Sequence, residues 1–153
     1  MYIYESYHNK GVIMKQEGID HVVIAVKDLE KAREFFSELL DTTFEDLGVV
    51  HELGGTRSIM SAEGLEIVAP ETPDAPLAKY IETAGEGVMA ISFRVKDEDL
   101  ATKESEKHGL KVIGRIDRDL GSFKGFKEVI LHPKGAFNTQ LTFAEYESRG
   151  FKG

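Results

Sequence analysis

The sequence predicts an α+β fold in which two β-α-β-β-β units on one chain form a curved, cup-shaped mixed sheet. The first observation is an internal repeat, since the apolar segments at residues 19–28 and 88–97 both end in Val-Lys-Asp, 69 residues apart. The second is that each segment precedes a helical pattern, which strand-like segments follow. Self-similarity of this kind indicates that one structural unit occurs twice.

The first unit is expected to span residues 18–70. Its opening strand is followed by apolar residues at helical spacing from Leu29 to Leu40, and Asp28 is a suitable N-cap for that helix. Three strand segments are then expected, at residues 44–52, 56–62 and 65–69, with breaks at Gly54-Gly55 and Glu63-Gly64.

The second unit is expected to span residues 87–146. Its helix should begin after Asp97 and end near His108-Gly109, because glycine suits the position that follows a helix. The expected strands cover residues 111–116, 126–132 and 137–143. Residues 71–86 are interpreted as a linker with a short helix, residues 1–17 as an N-terminal extension and residues 147–153 as a tail.

Composition excludes several classes of function. The 153 residues include no cysteine, which rules out a disulfide framework, a thiolate metal site and a cysteine nucleophile. With 19 basic and 27 acidic residues the formal net charge is −8, which disfavours binding to nucleic acid. No apolar run is long enough to cross a bilayer, and residues 1–17 lack a signal-peptide pattern. We therefore expect a cytoplasmic homodimer that acts on a small molecule.

Three polar residues stand on otherwise apolar strands, and they predict a site inside the cup. They are His21, Glu66 and Gln140, and the repeat places Ala90 in the second half where the first half has His21. Because a buried carboxylate is costly without a partner, side chains that converge in this way indicate a functional site. An imidazole nitrogen with carboxylate and amide oxygens suits Mn, Fe, Co, Ni or Zn.

These segments carry a resemblance to a known family. The opening IDHVVIAVKDLEKAREFFSELL resembles the vicinal oxygen chelate superfamily, which includes glyoxalase I, bleomycin resistance proteins, extradiol dioxygenases and methylmalonyl-CoA epimerase. The segments IVAPETPDAPLAKYIETAGEGV and VILHPKGAFNTQLTF are most similar to the epimerase branch. The resemblance covers residues 18–145.

The resemblance implies that one residue from each of four strands holds a metal. By position these residues are His21, Glu66, Ala90 and Gln140. Alanine cannot bind a metal, and Gln140 stands where the epimerases carry a glutamate, so the ligand set is incomplete. The proton-transfer glutamate of the epimerases falls near Ser58, with Arg57 beside it. Extradiol dioxygenase chemistry is disfavoured, because its second histidine would stand at position 90.

Two functions follow from the resemblance. The first is a small-molecule enzyme, a metal-dependent isomerase, epimerase or lyase that acts on a carbonyl or acyl-CoA compound through an enolate-like intermediate. Glu66 would then be a base as well as a ligand. The alternative is a metal-free protein, either a binder of the antibiotic-sequestering type or an enzyme that uses its carboxylate alone. Ala90 favours this alternative, since its small side chain enlarges the cavity for a substrate.

Several other residues have both a functional and a structural interpretation. His51 could replace the missing ligand or base, or it could be exposed on its strand. Arg57 and Ser58 could contact a substrate, although a surface position is the simpler interpretation for Arg57. The loop at residues 121–125 could close over a ligand, with Phe123 as a lid and Lys124 as an anion contact, or it could be an ordinary hairpin turn.

Overall fold

The computed structural model describes residues 14–153, and both halves of the chain contain the predicted sequence of strands and helices. The first half consists of β1 (Gln16–Ala25), α1 (Leu29–Leu40), β2 (Phe44–Val50), β3 (Thr56–Ser61) and β4 (Leu65–Pro70), with a 3-10 turn at His51–Leu53. Helix α2 (Pro76–Ala84) follows. The second half consists of β5 (Gly87–Val95), α3 (Glu98–Lys107), β6 (Val112–Asp117), β7 (Phe123–Lys124), β8 (Lys127–Leu131), β9 (Gln140–Glu145) and β10 (Ser148–Arg149). Most of the predicted N-terminal extension lies outside the described residues.

Eight strands form one curved mixed sheet, which confirms the predicted fold class. Their order is β2-β3-β4-β1-β5-β9-β8-β6. Strand β1 runs parallel to β4 and antiparallel to β5, and β5 runs parallel to β9. The first and last long strands of each half therefore meet at the centre of the sheet. Strands β7 and β10 pair separately, in a small two-stranded sheet.

The repeated Val-Lys-Asp segment forms the same helix start twice. The Asp28 carboxylate accepts a hydrogen bond from the backbone N–H of Lys31 at 3.1 Å, and Asp97 accepts one from Leu100 at 2.9 Å. Such caps satisfy backbone donors that the first helical turn leaves without a partner. Both helices pack on the convex side of the sheet, α1 against Ile67 and α3 against Val129. On β4 and β8, the residues next to Ile67 and Val129 in sequence point to the opposite, concave side of the sheet.

A bulge in β1 brings two neighbouring residues together. The register between β1 and β5 shifts between Ile19 and His21, where the Cα atoms of His21 and Ser92 are paired. Consecutive residues of a regular strand point to opposite faces, but a bulge re-aims the side chains beside it. As a result, Asp20 hydrogen-bonds to the ring of His21.

Two predicted strand boundaries were wrong, for local reasons. The predicted segment 137–143 begins as a strand only at Gln140, because Phe137 and Asn138 adopt left-handed backbone angles with φ of 55° and 62°. The segment 44–52 ends as a strand at Val50, where the 3-10 turn starts. Among residues 14–153, no helix is long and apolar enough to cross a membrane.

Candidate functional site

A cavity of about 510 Å³ opens on the concave face of the sheet. Its walls come from both halves and from helix α2. Most of the lining is apolar, and its apolar side chains include Val23, Leu53, Val68, Leu77, Met89, Ala90, Ile113 and Ile130. Its polar lining includes Glu66 on β4, Glu128 on β8, and Gln140 and Thr142 on β9. A concave apolar pocket with a few convergent polar groups is the usual form of a small-molecule site.

His21 lies beneath this cavity and is 2% exposed. Its ring Nδ1 lies 2.8 Å from Asp20 Oδ2, and its Nε2 lies 3.2 Å from Glu66 Oε2 and 3.5 Å from Glu128 Oε2. Since each half supplies one of the two glutamates, the folded sheet is required to bring them to the same imidazole. Both ring nitrogens therefore face carboxylate oxygens.

Hydroxyl groups complete the surroundings of both glutamates. Ser58 Oγ donates a hydrogen bond to Glu66 Oε1 at 2.7 Å. Ser92 Oγ and Thr142 Oγ1 lie 3.3 Å and 3.1 Å from Glu128 Oε2, to which they donate. These donors hold the two carboxylate side chains in place.

Behind His21, a chain of hydrogen bonds leads away from the cavity. The Tyr146 hydroxyl donates to Asp20 Oδ1 at 2.6 Å, and the Arg94 guanidinium lies over the Tyr146 ring at 3.9 Å from its centroid. Burial and the bond to Asp20 raise the pKa of Tyr146 to about 12, so it acts as a neutral donor. Tyr146, Asp20 and His21 thus form a continuous polar chain.

These contacts decide the charge of His21. Burial alone lowers the pKa of the imidazole, but hydrogen bonds to Asp20, Glu128 and Glu66 outweigh it and hold that pKa well above its usual value. Burial raises the pKa of the Asp20 carboxyl. Its hydrogen bonds to His21 and Tyr146 lower that pKa by a larger amount, so the net pKa is below its usual value. His21 is therefore an imidazolium in contact with three carboxylates.

As arranged, the residues do not fit a resident divalent ion. Within residues 14–153, no group of three or more His, Cys, Asp or Glu side chains has the geometry to hold one. The nearest arrangement is His21 with Glu66 and Glu128, whose carboxylate oxygens lie 3.2 Å and 3.5 Å from the Nε2 of the ring. Ala90, on the third strand, offers no donor atom.

The structure brings together five of the residues that the sequence singled out. Glu66, Ala90 and Gln140 line the cavity, His21 lies beneath it, and Ser58 supports Glu66. Three others lie elsewhere. His51 is exposed in the 3-10 turn, Arg57 is exposed and pairs with Asp46 at 3.4 Å, and Lys124 is exposed on β7.

Phe123 lies in the core and not at the cavity. It is 1% exposed and packs against Phe126 and Tyr146, which favours the hairpin interpretation of residues 121–125 over the lid. The Phe123 ring packs the small β7–β10 sheet against the eight-stranded sheet. Moving it over a ligand would expose a large buried apolar surface, which is unfavourable.

Sequence reasoning missed Glu128, the second carboxylate at His21. The signal was present, because Glu128 interrupts an apolar strand in the same way as Glu66 does in the first half. Tyr146, Ser92 and Thr142 were also missed, since their roles depend on strand register and on the bulge in β1.

Comparisons with known proteins agree with this architecture. Residues 20–126 match the family model described as the glyoxalase/bleomycin resistance protein/dioxygenase superfamily. An uncharacterized protein of Bacillus subtilis (strain 168), YqjC, is 31% identical over 77 residues, which are 49% of this chain and 55% of that protein. The chain thus spans about half the length of that curated relative.

Solved structures show the same fold. Methylmalonyl-CoA epimerase from Mycobacterium tuberculosis is 21% identical with a TM-score of 0.75, covering 93% of this chain and 96% of its own. The Streptomyces coelicolor methylmalonyl-CoA epimerase, solved with 2-nitronate-propionyl-CoA, is 25% identical with a TM-score of 0.74, covering 88% and 100%. The hypothetical protein BH1468 from Bacillus halodurans C-125 is 23% identical with a TM-score of 0.70, covering 88% and 97%.

Proposed function

This chain belongs to the glyoxalase/bleomycin resistance protein/dioxygenase superfamily, and on that basis we propose that it is a small-molecule enzyme, an isomerase that moves a proton at a carbon next to a carbonyl group. The observation that carries the proposal is the convergence of Glu66 and Glu128 on the His21 imidazolium beneath a largely apolar cavity. Similarity to epimerases supports the reaction class.

Each of the three groups has a role in the proposed reaction. One glutamate removes the proton next to the carbonyl, and the electron pair of that C–H bond moves toward the carbonyl oxygen to form an enolate. The Nε2–H of His21 donates to that oxygen once the substrate has displaced a carboxylate from it. The other glutamate takes up a proton from water and delivers it to the carbon, and the first glutamate releases the proton it removed to water. Positioned acid–base groups of this kind typically contribute a factor of about 10² to 10⁴ in rate.

Isotope exchange tests this proposal directly. We would incubate a panel of uncharged aryl-alkyl ketones and thioesters with the protein in D₂O and follow the hydrogen next to the carbonyl by NMR. Glu66→Gln and Glu128→Gln should each slow exchange by about 10²-fold or more, because each removes one acid–base group. Glu82→Gln, the same change at an exposed position of α2, is the control. Exchange that survives in both site variants would contradict the proposal.

Metal independence is a separate part of the proposal. We expect isotope exchange to persist after chelation. In the proposed reaction, His21 supplies the positive charge that stabilises the enolate, and the glutamates move the protons. Metal content is measured by mass spectrometry of protein purified without chelator. About one transition metal per chain, with activity that is lost on chelation and restored when the metal is added back, would support the metal-dependent mechanism instead.

The second candidate is a binding protein without turnover. The methyl group of Ala90 and the apolar wall around it favour this binding function, since such a wall can hold a hydrophobic molecule without converting it. A ligand that raises the melting temperature but shows no exchange would distinguish this function from catalysis.

The homodimer and the cytoplasmic location stay proposals. Helix α1 supports the first, because Phe35, Leu39 and Leu40 on it are 58%, 65% and 52% exposed. Exposed apolar side chains of this size commonly mark an interface. Light scattering coupled to size-exclusion chromatography measures the mass, and a mass equal to one chain would contradict the dimer.

A further inference from the structure

Phe137 presents a whole aromatic ring to solvent. It is 101% exposed, more than any other large apolar residue within residues 14–153. A ring in this position adds nothing to the core of the chain, and its contact with water is unfavourable. The folded chain itself therefore gains no stability from this side chain.

The backbone that carries the ring is unfavourable as well. Phe137 and Asn138 both have left-handed angles, with φ of 55° and 62°. Asparagine tolerates this conformation better than a bulky residue does, so the cost falls mainly on Phe137. Residues that are held in such a conformation are concentrated at ligand contacts and active sites, where the surrounding structure fixes them.

The loop at residues 133–139 is built to fix this conformation. It contains two successive turns, in which the Ala136 N–H donates to the Pro133 carbonyl and the Thr139 N–H donates to the Ala136 carbonyl, each at 3.0 Å. At its base, Gly135 lies so close to the neighbouring loop that a Cβ atom there would be 3.2 Å from Leu110 Cδ2. The loop is thus anchored at its base, with Phe137 at its tip.

This loop connects two parts of the cavity wall. Pro133 at its start and Gln140 directly after it both line the cavity. Because Gln140 follows Phe137 by three positions, their Cα atoms lie within about 11 Å of each other. The tip of the loop is therefore close to the cavity.

Other apolar side chains of the cavity wall are also open to solvent. Ile113 on β6 and Tyr80 on α2 belong to the lining, yet they are 48% and 36% exposed. A ligand whose apolar end extends out of the cavity would cover both of them. Such a ligand would also bring an apolar surface toward the ring of Phe137, and the contact would remove both surfaces from water.

We propose that Phe137 is a substrate-binding residue, whose ring covers the apolar end of the ligand at the mouth of the cavity. The substrate is then a carbonyl compound with an alkyl or aryl part long enough to reach that mouth. The inference rests on the proposed function and assigns a specificity-determining residue to the same cavity. The apolar surface buried between ring and ligand offsets the cost of the left-handed backbone.

Two uncharged ketones of different length test the contact. Both 2-nonanone and 2-butanone have a methyl ketone end, but only 2-nonanone has a long apolar chain beyond it. Isothermal titration calorimetry of the full chain should show that Phe137→Ala weakens the binding of 2-nonanone about 5-fold or more, because the ring no longer covers that chain. The affinity for 2-butanone should change by less than about 2-fold.

Two further variants separate the ring from the backbone. Phe137→Gly removes both the ring and the left-handed strain, so it should raise the melting temperature by about 2 °C or more and weaken 2-nonanone as much as Phe137→Ala does. Asn138→Gly is the matched control, since it changes the neighbouring left-handed residue and keeps the ring. It should leave the affinity for 2-nonanone unchanged. A purely structural role of Phe137 would not combine a gain in stability with a loss of affinity.

A fluorescent reporter tests the same contact directly. The chain contains no tryptophan, so Phe137→Trp introduces a single indole at the tip of the loop. Its emission maximum should move to shorter wavelength when 2-nonanone is added, because the exposed indole becomes covered. Addition of 2-butanone should leave the emission maximum unchanged.

Three outcomes would overturn the inference. Equal affinity of the wild type and Phe137→Ala for 2-nonanone would mean that the ring does not contact the ligand, and no binding of 2-nonanone to the wild type would remove the apolar ligand. An emission shift that follows protein concentration instead of ligand would assign the ring to a contact between copies of this chain. Binding does not require turnover, so a loss of affinity in Phe137→Ala without isotope exchange would refute the proposed reaction and leave this inference standing.

Discussion

At the scale of single residues, His21 has two different neighbourhoods. Its Nδ1 side faces Asp20 and the Tyr146 hydroxyl, whereas its Nε2 side faces the two glutamates of the cavity. The first pair holds the ring in place, and the second pair lies between the ring and the cavity. A histidine held on both sides by carboxylates stays protonated at neutral pH.

The protonation of His21 should make stability depend on pH. Because its pKa is raised in the folded state, its contribution is complete below the unfolded pKa of about 6.5 and is lost as pH rises through the folded pKa. We expect the difference in unfolding free energy between the wild type and His21→Gln to shrink as the pH rises from about 6.5 into the alkaline range. Urea unfolding of both proteins across this range measures it. A difference that grows with pH would contradict the charged state.

Tyr146 should act on the reaction through Asp20. Tyr146→Phe keeps the ring beneath Arg94 but removes the donor to Asp20 Oδ1, and a hydrogen bond to a charged group is worth about 1.5–3 kcal/mol. We expect a loss of stability in this range and a shifted pH profile of isotope exchange, because Asp20 then pairs differently with His21. An unchanged pH profile would limit Tyr146 to a structural role.

Glu128 shows which part of the site sequence reasoning could reach. A polar residue on an apolar strand is visible in the sequence, and this rule identified His21, Glu66 and Gln140. The same rule applies to Glu128, which lies on β8, outside the four strands at the centre of the sheet. Asp20 and Tyr146 were out of reach, because 126 positions separate them and the bulge in β1 decides their contact.

At the scale of elements, the turn before β4 supports the site. Gly64 has a φ of 94°, and a Cβ atom there would collide with the backbone carbonyl of Asp20. Its own carbonyl accepts a hydrogen bond from the N–H of Val22 at 2.9 Å. The turn therefore fixes β4, and with it Glu66, against the part of β1 that carries His21.

Gly64→Ala should damage both stability and the site. The left-handed backbone costs about 1–2 kcal/mol with a side chain, and the collision with Asp20 adds to it, so we expect a loss above about 2 kcal/mol. Gly109→Ala is the matched control, since Gly109 has a φ of 83° and open space around its Cβ position. Urea unfolding and isotope exchange measure both variants. Equal losses of stability would show that the contact with Asp20 does not matter.

Helices and strands were predicted well where periodicity and capping agree, and less well in turns. The two helices after Val-Lys-Asp begin at the predicted caps, because an aspartate before an amphipathic segment is a strong local signal. The start of β9 was predicted three residues early, since the apolar Phe137 lies in a left-handed turn. Local patterns do not reveal such backbone angles in a non-glycine residue.

At the scale of the whole molecule, the two halves share their core as well as their site. Strand β1 pairs with β5 across the halves, and one apolar cluster combines Leu47 and Met60 of the first half with Ile116 and Phe126 of the second. The repeat in the sequence predicted the two units, but not that their cores would merge. Neither half retains a complete core when the other is absent.

The chain should consequently unfold in a single transition. The shared cluster and the β1–β5 pairing couple the halves, so partial unfolding of one would expose the apolar surface of the other. Differential scanning calorimetry should give equal calorimetric and van't Hoff enthalpies. Two resolved transitions would show that the halves are independently stable.

The difference between His21 and Ala90, which occupy equivalent positions of the two repeats, has a stereochemical consequence. If both halves carried the same residue, the pseudo-twofold cup would present similar groups to both faces of a bound planar carbon. In this chain one side offers the His21 imidazolium and the other the methyl group of Ala90, so the two faces meet different surroundings. In the early phase of the exchange reaction, we expect deuterium to enter one prochiral position of the substrate ahead of the other. The difference between the two repeats would then determine the configuration of the labelled carbon in the product.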